Sequence, residues 1–301
     1  MPELASPDEA RIALRTTMRY SSKLAPIVIA QHAVRRPGVV LRDTLYQGAV
    51  VDERVLTPVF PWVVWPSRLS LLAVRRGSIV WEGGAAQPGD VLLLTPETAS
   101  IMRFEGTAFV ELEWTSPRAS EYRGVMTLGR VGVAEIDRIA DAIADAAVPP
   151  RRALAAAVVL GRSLGAPLEG LDPAAWDEAV TPRDEKIARA VCGMLENMAV
   201  AADTMHLGEE AAMSPRQLQR VLTKFGETYG LGVKSWRDLR NRWRLQVAAV
   251  LVAHPDVEVG DVAAEVGYAS GPALARAFAK AGFPPPLEVR RRVLGGGAVR
   301  S

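Results

Sequence analysis

Leu207-Gly-Glu-Glu-Ala-Ala-Met-Ser-Pro-Arg-Gln-Leu-Gln-Arg-Val-Leu222 and Val262-Ala-Ala-Glu-Val-Gly-Tyr-Ala-Ser-Gly-Pro-Ala-Leu-Ala-Arg-Ala-Phe278 are two versions of one pattern. Each sets a small residue, Gly208 or Ala263, in a short first helix, then a turn, then Leu-x-Arg-x-(Leu/Phe). From the small residue to the leucine is ten positions in the first copy and eleven in the second, and Arg220 and Arg276 lie 56 apart. Two short helices joined by a tight turn have the helix-turn-helix shape.

In the first copy, Leu218, Val221, Leu222 and Phe225 fall on one face of a helix that Ser214 caps and Pro215 opens. Arg216, Gln217, Arg220 and Lys224 are left facing outward. Arginine and glutamine read guanine and adenine edges in the major groove, and the amino-terminal half of such a helix enters first. Arg216, Gln217 and Arg220 are therefore expected to read bases and Lys224 to hold a phosphate. In the second copy Leu274, Ala277 and Phe278 point inward. Only Ser270 and Arg276 remain as polar readers, because Gly271, Pro272 and Ala273 occupy its opening.

Between the copies, Val233–Ala253 reads as one strong helix. Trp236, Leu239, Trp243, Val247 and Val250/Leu251 make its apolar stripe; Arg237, Arg240 and Arg244 flank it as candidate phosphate contacts, joined by Arg290 further on. At 1.5 Å per residue this is a rod of roughly 30 Å, close to the ~34 Å between successive major-groove faces. One rod could present two reading helices to the same side of a duplex.

These residues resemble the AraC/XylS family of transcription regulators, whose DNA-binding module is two helix-turn-helix units on one long helix. The resemblance rests on Leu207–Leu222, Arg244-Leu245-x-x-Ala248 and Val259–Arg292, the last including Val266-Gly267-Tyr268, Pro286 and Arg290. Against the family pattern, the loop Gly226–Lys234 is about six residues longer, Gly208 and Ala212 stand where Ala and Gly are usual, and Gly282-Phe283 reverses the customary order. The resemblance implies an α+β multidomain chain: a cupin-like β-barrel or sandwich sensor at 1–125, a helical dimerisation segment and linker at 126–181, and an all-α double helix-turn-helix domain at 182–301. It further implies double-stranded DNA, a small-molecule effector and a second copy of the chain as partners.

The front half agrees in character. Short runs rich in Val, Leu, Ile and Trp (39–45, 49–56, 69–75, 78–82, 91–95 and 107–115) are separated by turns at Arg76-Gly77, Gly83-Gly84 and Pro88-Gly89-Asp90. Many short strands at regular spacing suggest a barrel or sandwich. Ala134–Ala147 then places Ile136, Ile139, Ala140 and Ile143 at helical spacing, and these isoleucines are the candidate dimerisation face. Arg151–Leu164 reads as a second helix and Ala166–Pro182 as a linker.

Charge supports the division. The 301 residues carry +2 overall, but residues 1–181 hold 19 basic and 21 acidic side chains and residues 182–301 hold 17 and 13. Met213–Leu245 alone holds eight basic residues against Glu227 and Asp238, a footprint that nucleic acid attracts and that a solvated basic face would equally produce. The single cysteine, Cys192, excludes an intramolecular disulfide framework and a thiolate-clustered zinc site; its neighbours Ile187, Val191 and Leu195 mark it as core. The start, with acids among its first ten residues, lacks the form of a secretory signal. Apolar stretches such as Ala153–Gly161 fall short of the ~18 residues of a membrane span. A cytoplasmic protein is expected.

Residues 1–181 contain one histidine, His32, so a histidine-based metal site is not expected, and neither is a cofactor. Trp62, Trp65, Trp81, Trp114, Phe60 and Arg103 are candidate effector-pocket residues, unless the aromatics only fill a small barrel. Gly161-Arg-Ser163-Leu-Gly165 matches the G-x-S-x-G nucleophile elbow of serine hydrolases. Pro167 would disrupt the helix an elbow needs, and an enzyme is not expected. A regulator controlled by a protein partner, with no pocket, is the other alternative.

Overall fold

The computed structural model describes residues 14–36, 38–52, 67–95, 102–173, 182–196, 204–228 and 235–295. Among the described residues nine antiparallel strands come first: β1 (Leu14–Ser21), β2 (Val28–Arg36), β3 (Val39–Gln47), β4 (Val50–Asp52), β5 (Arg68–Trp81), β6 (Gly84–Ala86), β7 (Asp90–Leu94), β8 (Arg103–Thr115) and β9 (Val125–Arg130). They form one sheet of order β1-β2-β3-β8-β5-β7-β9, with β4 beside β8 and β6 beside β5.

Two features depart from the reading above. The strands begin at Leu14 rather than Val39, so His32 lies within β2, its Nδ1 3.2 Å from the Thr17 hydroxyl of β1. The alternation in β1 and β2 is interrupted by arginine and histidine, which hides them. The expected turn at Arg76-Gly77 is instead a bulge inside the 14-residue strand β5, with register shifts at Val74/Arg76 and Arg76/Ser78. Gly77 takes φ +68, and a Cβ there would lie 2.4 Å from the Glu105 carbonyl oxygen. Only glycine fits this kink, which bends β5 along β8.

Period-two alternation gives the sheet two buried faces. Against one, carrying Val34, Leu41, Leu69, Leu71, Val110, Leu112 and Trp114, pack α1 (Val133–Ala144) and α2 (Pro150–Ser163). Arg75 pins α1 to the sheet, donating to Asp43 at 2.5 Å and Asp137 at 2.8 Å. Arg15 of β1 caps the carboxyl end of α1, donating to Ile143 O and Val148 O at 2.6 Å each. Ala166, Leu168 and Leu171 join this core, so the first part of the expected linker is packed chain.

The helical half comprises α3 (Pro182–Glu196), α4 (Thr204–Ala211), α5 (Pro215–Thr228), α6 (Trp236–Ala253), α7 (Val259–Glu265), α8 (Gly271–Lys280) and α9 (Pro286–Gly295). Its core is continuous with the other face of the sheet, where Met18 and Tyr20 meet Ile187, Ala188, Val191 and Leu195 of α3. The indole of Trp243 donates to Leu195 O at 3.1 Å and holds α6 to α3. The chain thus has the two-part α+β layout expected, a strand-rich half followed by an all-helical one. Among the described residues no helix is long and apolar enough to cross a membrane.

Candidate nucleic-acid interface

The two helix-turn-helix units are α4–α5 and α7–α8, and their turns share the same hydrogen bonds, the second carrying one more residue before its serine. Met213 N donates to Gly208 O at 2.7 Å, and Tyr268 N donates to Ala263 O at 2.7 Å. Ser214 and Ser270 each accept at Oγ from the backbone three residues on, Gln217 N and Ala273 N, both at 3.3 Å. The turn demands a left-handed residue, and Gly267 supplies it at φ +78. The first unit puts Ala212 there, at φ +52, which L-residues resist. The reversed Gly208/Ala212 order also has a reason: a Cβ on Gly208 would lie 2.7 Å from Met213 O.

Leu218, Val221, Leu222 and Phe225 of α5 are buried, which leaves Arg216, Gln217, Gln219, Arg220 and Lys224 exposed along one side. Gln219 belongs to this exposed row and was not singled out from sequence. In α8, Leu274 and Phe278 are buried, with Phe278 stacked 5.1 Å from Phe283, while Ser270 and Arg276 are exposed. The expected rod is α6, 18 residues opened by a Ser235 cap whose Oγ accepts from Asp238 N at 3.2 Å. At 1.5 Å per residue it is about 27 Å long.

The candidate phosphate contacts divide. Arg237 and Lys224 are exposed. Arg240 is half-buried near Tyr268, and burial lowers its pKa. Arg244 and Arg290 are corrections. Arg244 is buried; its Nε donates to Val266 O, its Nη2 to Gly267 O, and its guanidinium lies 4.0 Å from the centre of the Tyr268 ring. These two donors hold the second turn. Arg290 likewise donates to Val252 O at 2.7 Å, a carbonyl that the end of α6 leaves open, and to Val257 O in the following turn. Sequence spacing put both on a basic flank and could not show which way a helix neighbour would draw them.

The other candidate groups disperse. Trp62, Trp65 and Phe60 lie outside the described residues. Trp114 is buried beneath α1 and α2, on the opposite face of the sheet from the core that Trp81 borders, so the two cannot line one pocket. Trp81 covers Gly84 in the β5–β6 hairpin. Arg103 donates to Glu105 at 2.7 Å and to Val293 O of α9, a contact between the halves rather than a pocket wall. Ile136, Ile139 and Ile143 are at most 2% exposed, turned onto the sheet, and present no dimer face. Ser163 lies in the last turn of a helix and donates to Leu160 O at 2.8 Å, which is not the strand-to-helix geometry of a nucleophile elbow. Cys192 is half-buried, and burial pushes its thiol up to about 11. Among the described residues no group of acids, histidines and cysteine could hold a metal ion.

The halves meet at a joint that sequence did not reveal. The Tyr20 hydroxyl of β1 donates to Glu265 of α7, and Lys23 N donates to the same oxygen at 3.0 Å. The sheet therefore grips the first helix of the second unit, while the polar sides of α5 and α8 stay exposed.

Residues 207–292 match a family described as a helix-turn-helix domain. Among solved structures, the chain is similar to a DNA-binding transcriptional dual regulator from Escherichia coli K-12, at 24% identity over 40% of this chain and 99% of that one, TM-score 0.32. It is similar to an AraC-type DNA-binding-domain regulator from Chromobacterium violaceum, at 22% identity over 38% of this chain and 95% of that one, TM-score 0.30. It is also similar to unsaturated fatty acid bound ToxT from Vibrio cholerae, at 11% identity over 94% of this chain and 96% of that one, TM-score 0.34. No curated protein matches. With two capped units on one rod and this match, residues 207–292 form a helix-turn-helix domain of the AraC type.

Proposed function

We propose that the protein regulates transcription by reading a specific DNA sequence under the control of a small molecule held in its strand-rich half. The observation that carries this reading is the pair of matched units, each with a serine-capped second helix whose polar side is exposed, at the two ends of one rigid helix. Arg216, Gln217 and Arg220 read base edges, with Ser270 and Arg276 assisting from the sparser second unit. Lys224, Arg237 and Arg240 meet phosphates. The joint between sheet and α7 gives an effector a lever: a ligand that binds one docking geometry better shifts the population of DNA-competent states. The regulator works in the cytoplasm as a homodimer, through a surface other than the buried isoleucines of α1. Functional boundaries near 125 and 181 follow.

The test is a band shift of the full chain on its own upstream DNA over a salt series. Arg220→Ala is expected to lose about 1–3 kcal/mol of binding and to relax preference at one base pair. Absence of salt-dependent binding would overturn the reading.

A further inference from the structure

The second helices of the two units share a register. With Ser214 aligned on Ser270, the buried Leu218 and Leu222 of α5 match the buried Leu274 and Phe278 of α8. Arg220 and Lys224 match Arg276 and Lys280, and all four are exposed. The same register sets Arg216, Gln217 and Gln219 of α5, also exposed, against Pro272, Ala273 and Ala275 of α8. At these positions long hydrogen-bonding side chains give way to short apolar ones.

The backbone of α8 does not make up the loss. Pro272 has no amide hydrogen. The amide of Ala273 donates to Ser270 Oγ at 3.3 Å, and that of Leu274 donates to Ser270 O at 3.0 Å. The opening turn therefore keeps no free donor at 272, 273 or 274. Pro272, Ala275 and Ala279 follow one another along the helix, half-buried or exposed, with Arg276 among them.

The amino-terminal residues of a reading helix are the ones that reach base edges. Apolar atoms pressed onto a polar edge leave its donors and acceptors without water or partner, which is costly. Thymine is the base that presents a methyl group in the major groove, and alanine is among the side chains that meet it.

We propose that the second unit recognises its half-site through thymine methyl groups, met by Pro272, Ala273 and Ala275, with Arg276 as its hydrogen-bonding reader. The inference rests on the DNA-reading function proposed above and adds the chemistry of the second half-site. The DNA is then asymmetric: a thymine-rich element lies about one helical turn from an element read through hydrogen bonds by Arg216, Gln217 and Arg220.

The experiment measures affinity of the full chain for duplexes that it selects from a random pool, remade with deoxyuridine for thymidine, which removes only the methyl group. The half-site in which Arg220→Ala relaxes base preference is that of the first unit. In the other half-site each methyl met by α8 is expected to contribute about fourfold, the value of one buried methyl group, and full replacement to weaken binding about tenfold. Replacement in the first half-site is expected to change affinity by less than about twofold. Ala273→Gln restores the residue that α5 carries and is expected to erase the effect of deoxyuridine at one position. Should that variant not fold, the wild-type comparison of the two half-sites still decides. Equal affinity for the thymidine and deoxyuridine duplexes, methyl dependence confined to the first half-site, or methyl dependence unchanged in folded Ala273→Gln would each overturn the proposal. Salt-dependent binding without methyl dependence overturns this inference alone; no salt-dependent binding overturns the DNA-reading function with it.

Discussion

Arg244→Met separates two roles that one basic residue on the rod could play. In the structure Arg244 ties α6 to the turn of the second unit through Val266 O and Gly267 O and stacks on Tyr268 at 4.0 Å. Methionine preserves much of the stem and removes both bonds. Val266 is fully buried, so its carbonyl loses a charged donor with little water to replace it; Gly267 is exposed and is resolvated. Hydrogen bonds to charged groups contribute about 1.5–3 kcal/mol and a partly buried cation–π contact about 1, so with the desolvation of the guanidinium relieved the net loss is about 3 kcal/mol. For a helical half of this size that is a fall in Tm of about 10 °C. The assay pairs a thermal melt with DNA affinity over a salt series. Loss of one phosphate contact lowers the slope of log K against log salt by about 0.9. Arg237→Ala is expected to lower the slope and leave Tm unchanged, and Arg244→Met to lower Tm and leave the slope unchanged. A variant Arg244→Met that melts like the wild type but loses a unit of slope would refute the assignment.

Two further outcomes follow from the same geometry. Ala212→Gly relieves the left-handed alanine of the first turn; after the added freedom of the unfolded chain is deducted, a gain of about 0.5–1 kcal/mol is expected in denaturant unfolding. Tyr20→Phe removes the hydroxyl that donates to Glu265 and is expected to speed amide exchange in the β1–β2 turn and α7, with Arg220-dependent DNA contacts retained. Burial, with the hydrogen bond to Glu265 second, holds the Tyr20 pKa above its ordinary value. That contribution is complete below the unfolded value of about 10 and fades as pH rises above it, so the wild type is expected to lose more stability than Tyr20→Phe in alkaline buffer.

What sequence alone determined is local and periodic. The Leu-x-Arg-x-(Leu/Phe) pattern, the serine caps at Ser214 and Ser270 and the stripe of α6 are set by neighbours three or four residues away, and a helix keeps those neighbours wherever it lies. The exposed polar row of α5 was legible for the same reason, since a buried face of Leu218, Val221, Leu222 and Phe225 forces the remainder outward. Tertiary structure decided everything that depends on what sits opposite. An amphipathic α1 has an apolar face whether it meets a second copy or its own sheet, and only the fold shows that Ile136, Ile139 and Ile143 meet the sheet. Trp114 and Trp81 carry no mark of the face they take until β5 and β8 are in register. An arginine is equally basic on paper whether it faces solvent, as Arg237 does, or spans two carbonyls, as Arg244 does. Long-range partners, absent from any short window of the chain, make the difference.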